Sequence, residues 1–192
     1  MWLTDTDYII HDSWKALAPR DNMVFFCTEK LDDYKRRLPI SLSHIPTEVL
    51  WQWLFPFNDD DNSVKNYAWI NYFDARFERQ PRSIDFFLEE VSPNSKGKNL
   101  VDERSVLTSY DSFNCTEEDK QYWKEKGTWR IPPVILDVAS FKNYTQVPEY
   151  VDYPAGYVLV EGHNRLGYLR AAARIGDKNF KYEHEAYFLR AR

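Results

Sequence analysis

Cysteine is scarce: the 192 residues include two, Cys27 and Cys115, far apart and in no metal-type spacing. That excludes a disulfide framework and a cysteine-based zinc site, and it suits idle thiols in a reducing compartment. An excess of positive charge is also missing, since 25 basic against 30 acidic side chains give a net charge of −5. Broad electrostatic binding to nucleic acid or to an anionic membrane is therefore not expected, although a local basic pocket stays open. No apolar run approaches the roughly 20 residues of a membrane-crossing helix. The start, Met1-Trp2-Leu3-Thr4-Asp5-Thr6-Asp7, lacks the basic and apolar stretches of a secretion signal. The expectation is a cytoplasmic protein, so the glycosylation patterns Asn114-Cys115-Thr116 and Asn143-Tyr144-Thr145 carry no meaning. Internal repeats and low-complexity tracts are absent.

What the chain does have is a globular composition, 43% hydrophobic and 29% charged. Aromatics reach 17%, with 7 Trp, 13 Tyr and 12 Phe, so a core can be filled by few residues.

The first stretch reads as mixed, with a short buried strand at Met23-Val24-Phe25-Phe26-Cys27. Leu38 to Ile45 alternates apolar and polar residues, the signature of a half-buried strand. Pro46-Thr47 opens a helix to about Phe55 with Leu50, Trp51 and Leu54 inward. Asn58 to Ser63 is an acidic turn, and a calcium loop is rejected because no Glu stands eleven residues after its first ligand. A helix is expected from Ser63 to about Arg79, ended by Pro81, then a short one capped by Ser83. Ser92 to Asn99 reads as a flexible loop without the Gly-x-x-x-x-Gly-Lys-Ser/Thr phosphate pattern. Thr116 caps a helix to Lys126, stopped by Gly127.

The last third is the most regular. Pro132-Pro133 precedes a strand, Val134-Ile135-Leu136, and Val147 to Ala155 is a connection. Gly156 to Glu161 is a buried strand, Gly162-His163-Asn164 a tight turn, and Arg165 to Ile175 a helix closed by Gly176. Tyr182 to Leu189 is a final strand, with Tyr182, His184, Ala186 and Phe188 on one face. Because Glu183 and Glu185 point away from His184 on such a strand, this trio is not a metal site.

The strand–turn–helix around Glu161-Gly162-His163-Asn164-Arg165 carries the chemistry. Gly lets the backbone approach a ligand, and the following helix turns free N–H groups and its positive dipole end into the turn. Arg165 can grip phosphate in the first turn, and Arg170 and Arg174 add positive charge on one face. Glu161 and His163 flank the turn; one can bind magnesium or act as a base while the other moves a proton. The plainer alternative is a common α/β turn in which His163 caps the helix.

The segment Val158-Leu159-Val160-Glu161-Gly162-His163-Asn164-Arg165-Leu166-Gly167-Tyr168-Leu169-Arg170-Ala171-Ala172 resembles the signature of the ParB/sulfiredoxin superfamily: an apolar strand, Gly-x-x-Arg, and a helix often containing Arg-Ala-Ala. Gly127 to Leu136 resembles that family's Gly and Pro-containing strand, and Leu38 to Ile45 its opening strand. The clear match covers about residues 127–192. The resemblance implies that Gly162, His163, Asn164 and Arg165 contact nucleotide phosphates, CTP as in ParB or ATP as in sulfiredoxin. Sulfiredoxin has its catalytic Cys where this chain has His163, which argues against sulfinic-acid repair. No helix-turn-helix follows, which leaves centromere binding unsupported. The nearest branch is the free-serine kinase type, with acid-Gly-His-x-Arg; it needs a second acid upstream, and Glu48 is one choice among many.

The sequence thus predicts an α+β fold, ParB/sulfiredoxin-like, with a small mixed sheet, flanking helices and a helical N-terminal elaboration. It predicts one domain over 1–192, with core strands at about 38–46 and 127–192 and a helical insertion at about 47–126. The first function expected is a nucleotide-binding phosphotransferase or hydrolase using ATP or CTP with magnesium. Its catalytic residues would be Glu161 and His163, and its nucleotide-binding residues Gly162, His163, Asn164, Arg165 and Arg170. The alternative is a non-catalytic module that senses a nucleotide or holds a protein partner in a bacterial or phage regulatory or defence system.

Overall fold

The computed structural model describes residues 8–20, 29–142, 147–154 and 156–192. The expected strand at Met23–Cys27 and the Asn143-Tyr144-Thr145 pattern lie outside them. The chain forms two compact units, one of Met1–Phe77, Ser140–Asp152 and Ala191–Arg192, the other of Glu78–Ala139 and Tyr153–Arg190. Each unit gathers separate stretches of chain, a pattern common to one domain with two cores and to two interleaved domains. No helix among the described residues is long and apolar enough to cross a membrane.

The first unit is helical. It holds α1 (Asp12–Ala16), α2 (Leu31–Arg37), α3 (Thr47–Val49) running into a π-helical turn at Leu50–Leu54, and α4 (Asp61–Tyr67). Its core is an aromatic cluster in which Trp53 meets Tyr67 edge-on at 5.3 Å and Trp14 lies 5.6 Å from Tyr72. One buried polar pair is matched reciprocally: Trp14 Nε1 donates to the Asn58 carbonyl at 3.1 Å, and Asn58 Nδ2 donates back to the Trp14 carbonyl at 3.3 Å. Arg37 grips both carboxylate oxygens of Glu29, at 2.6 and 2.7 Å.

Here the sequence expectations need correction. Leu38–Ile45 is not a strand but a turn around a 3-10 segment at Ile40–Leu42. Ile40 is 89% exposed while Leu42 and Ile45, three apart, are buried, so the buried pair follows a helical rather than a two-residue spacing. In the next helix Trp53 turns inward and Trp51 outward, because the wide π turn shifts which positions face the core. The helix expected at Ser63–Arg79 runs from Asp61 to Tyr67. Asp60 caps it by accepting from the Asn62 and Ser63 N–H groups, both at 3.1 Å.

The second unit contains a five-stranded mixed sheet flanked by helices, in the order β1-β5-β3-β4-β2. The strands are β1 (Arg76–Ser83), β2 (Val91–Pro93), β3 (Val134–Asp137), β4 (Tyr157–Glu161) and β5 (Glu183–Arg190). β1 and β2 stand within the stretch expected to be a purely helical insertion. Pro81 lies inside edge strand β1 rather than ending a helix, and an edge tolerates a residue with no N–H to donate. β3 pairs antiparallel with β4 and parallel with β5, and β2 pairs parallel with β4. The expected loop at Ser92–Asn99 is instead the end of β2 followed by the start of helix α5 (Ser95–Ser105), which Asn94 caps through the Gly97 N–H at 2.7 Å.

The other expected elements form. Helix α6 (Glu117–Lys126) begins with Thr116 accepting from the Asp119 N–H at 3.1 Å. Helix α8 (His163–Ile175) follows β4, while helix α7 (Val138–Lys142), which follows β3, was not expected. In β5, Tyr182 falls outside the strand and is 64% exposed, while Tyr187 is buried along with His184, Ala186 and Phe188. Phe113 stacks on Tyr168 of α8 at 4.3 Å, fixing that helix over the core.

Candidate functional site

The ladder explains why the turn after β4 sits where it does. Val134 of β3 pairs with Glu161, so Pro133 reaches the turn's first residue. Gly162 has φ +108°, and a Cβ there would come within 2.6 Å of Pro133 Cβ and 3.2 Å of the Arg165 guanidinium. Only glycine meets both demands. The helix begins at once: α8 starts at His163, two residues before the sequence reading had it, and Leu166 N–H bonds the Gly162 carbonyl at 2.9 Å. Gly162 itself is the cap residue, and no side-chain cap closes the helix. The first-turn N–H groups and the positive dipole end are thus presented at the turn.

Glu161 ends β4 with its side chain 26% exposed, and its Oε1 lies 3.4 Å from Arg165 Nη2. Burial pushes its carboxyl above the usual range, although the Arg165 guanidinium and the Gly162 N–H both favour the charged form. Arg165 is itself tethered, donating from Nη1 to the Ile131 carbonyl at 3.0 Å.

His163 faces elsewhere. A Cβ on Gly97 of α5 would fall 1.9 Å from the His163 ring, so the imidazole lies flat against that glycine. Its Nε2 is buried with no hydrogen-bond partner among the described residues, and burial with the nearby Arg165 charge lowers its pKa to about 4. The imidazole is neutral at pH 7 and does not cap the helix. Asn164 is exposed and accepts from Arg104 Nε at 3.1 Å, which brings a second guanidinium to the first turn of α8. Arg170 stands seven residues beyond His163, about 10 Å along the axis. Burial lowers its pKa while Asp102 of α5 opposes that shift, which places Arg170 toward α5. Arg174 donates to the Ser105 and Leu107 carbonyls.

Two charged residues that sequence reasoning missed belong here. Asp119, in the first turn of α6, accepts from Arg130 Nε at 2.8 Å. Burial raises its pKa, but the Arg130 and Thr116 hydrogen bonds and the Arg130 and Arg165 charges outweigh that and hold it low. Arg130 neighbours Ile131, whose carbonyl takes Arg165, so the acidic first turn of α6 and the Gly162 turn meet around one short loop. The acid-rich run after Thr116, Glu117-Glu118-Asp119, was the available signal in the sequence. Glu48 lies in the first unit, on α3, and among the described residues no strand precedes it. Among the described residues no group of three His, Cys, Asp or Glu could hold a metal ion. A magnesium ion carried on a substrate's phosphates needs only one or two protein carboxylates.

The arrangement therefore offers an open helix start, two guanidinium groups within reach of it, and two carboxyls whose pKa values are driven in opposite directions. That is a set of donors suited to an anion, with an acid beside it. No protein-family model, no curated protein and no solved structure matches the chain.

Proposed function

We propose that the second unit binds a nucleoside triphosphate, ATP or CTP with magnesium, at the turn from Gly162 to Arg165, and acts as a phosphotransferase or nucleotide hydrolase. The observation that carries this reading is the start of α8, opened by Gly162 with no side-chain cap. The resemblance of residues 127–192 to the ParB/sulfiredoxin superfamily supports it, now without the opening strand at Leu38–Ile45. In this reading the Gly162, His163 and Asn164 backbone and the Arg165 guanidinium hold phosphate oxygens, and Arg170 adds positive charge further along the helix. Magnesium, bound through the phosphates, supplies charge neutralisation. Glu161, with its raised pKa, is the group suited to hold or take a proton next to the transferred phosphoryl group, with His163 beside it in the motif.

Calorimetric titration with ATP, ADP, CTP and GTP plus magnesium, on wild type and Arg165→Ala, tests this. One nucleotide should bind, and the variant should lose it while keeping a wild-type circular dichroism spectrum. No binding of any of the four to the wild type sinks the nucleotide reading.

A second reading is a non-catalytic module that senses a nucleotide or holds a protein partner. It is favoured by the packing of His163 on Gly97 and the tether of Arg165 to Ile131, which give both side chains structural tasks. Turnover that Glu161→Gln abolishes supports the enzyme; binding without turnover supports the module.

A further inference from the structure

Two of the donors that the proposed phosphate would use at this turn, the Gly162 N–H and the Arg165 guanidinium, already face an anion from the chain itself. Glu161 Oε1 is 3.4 Å from Arg165 Nη2, and the Gly162 N–H also stabilises the Glu161 carboxylate. Arg165 cannot swing far, because Nη1 is held by the Ile131 carbonyl at 3.0 Å. The surrounding charges come from three elements: Arg165 and Asn164-bound Arg104 from the helix pair α8 and α5, and Asp119 with its partner Arg130 from α6 and the loop after it. Arg165 is the ion-pair partner of Glu161.

We propose that Glu161 is a built-in competitor at the phosphate site: its carboxylate occupies the Arg165 and Gly162 donors, and an incoming phosphate must displace it. This rests on the phosphate-binding reading above and adds its regulation. Two like-charged groups cannot share one guanidinium edge and one N–H without repulsion. A phosphate therefore binds only the fraction of molecules in which Glu161 has swung away, and apparent affinity falls by that fraction. If the competitor holds the donors about nine-tenths of the time, affinity is about tenfold weaker than the open site would give. The displaced carboxylate is then left beside the phosphate, where a bound magnesium ion or a transferred proton would relieve the crowding.

The test is titration of inorganic phosphate, magnesium-free ATP and magnesium-free CTP, with a chelator present, into wild type, Glu161→Gln and Glu161→Ala. Thermal melts check that each variant is folded. Glutamine keeps the shape without the charge; alanine removes both, so the two together separate charge competition from packing. Both variants should bind about tenfold more tightly than wild type. Equal or weaker binding by the variants, with wild type binding normally, overturns the competitor and leaves the nucleotide reading standing. No binding by any of the three proteins overturns the competitor, while the nucleotide reading is decided separately by the magnesium-containing titration above.

Discussion

Two histidines of the second unit are held neutral by burial, and they make its stability depend on pH in a definite direction. His184 is 1% exposed, bonded through Nδ1 to Thr128 Oγ1 at 2.8 Å, and ringed by Phe87, Trp129 and Phe180. Burial lowers its pKa to about 4, as it does for His163. Between about 4 and the unfolded value of 6.5 the unfolded chain binds more protons, so stability present above pH 6.5 is lost as pH falls through that window. Glu161, pushed upward, works in the opposite sense, because the folded state then binds the proton more readily. Melting temperature should fall by on the order of 5 °C between pH 6.5 and 4. His184→Gln should flatten that slope, which melts at four or five pH values will show; an unchanged slope would remove His184 as the cause.

Among the elements, α5 and α8 form the closest packing next to the turn. A Cβ on Gly167 would lie 2.4 Å from Arg104 Cβ and 2.8 Å from the Val101 carbonyl. Gly97 meets His163 near the start of both helices, so the two run in the same direction with their N-termini at one end. Gly167→Ala should destabilise the protein by about 1–3 kcal/mol through overpacking, measured by chemical denaturation. Wild-type stability in that variant would mean that the helices separate freely. These contacts explain what the sequence showed and what it hid. Thr116, Gly127, Gly162 and Gly176 act through their own neighbours, so α6, β4 and α8 were legible from caps and runs. Asn94 reads equally as a loop residue or a cap, and only the Gly97 N–H bond decides, so α5 was taken for a loop. β1 is charged along its length and bears Pro81, so nothing in its pattern marks a strand; its place at the sheet edge makes it one. At the site, Gly162 and Arg165 were legible as one motif. Asp119 and Arg130 were not, because their link to the turn runs through a carbonyl between distant segments.

For the whole molecule, the sheet order sets where the fold is most resistant. β3 and β4 are inner strands, β3 bonded on both sides to β4 and β5, while β1 and the three-residue β2 are edges. Amide hydrogen exchange should therefore be slowest in Ile135, Leu136, Val158 and Leu159, by about two orders of magnitude or more relative to β1. Equal protection in β1 and β3 would contradict this stability map. The seat of His163 on Gly97 has a consequence for sequence variation. The two positions share one volume, so a relative with any side chain at 97 must have a smaller residue at 163, and the pair must covary. The histidine that the motif presents as chemistry is thereby also constrained by a glycine 66 positions upstream, and a family that loses one will have changed the other.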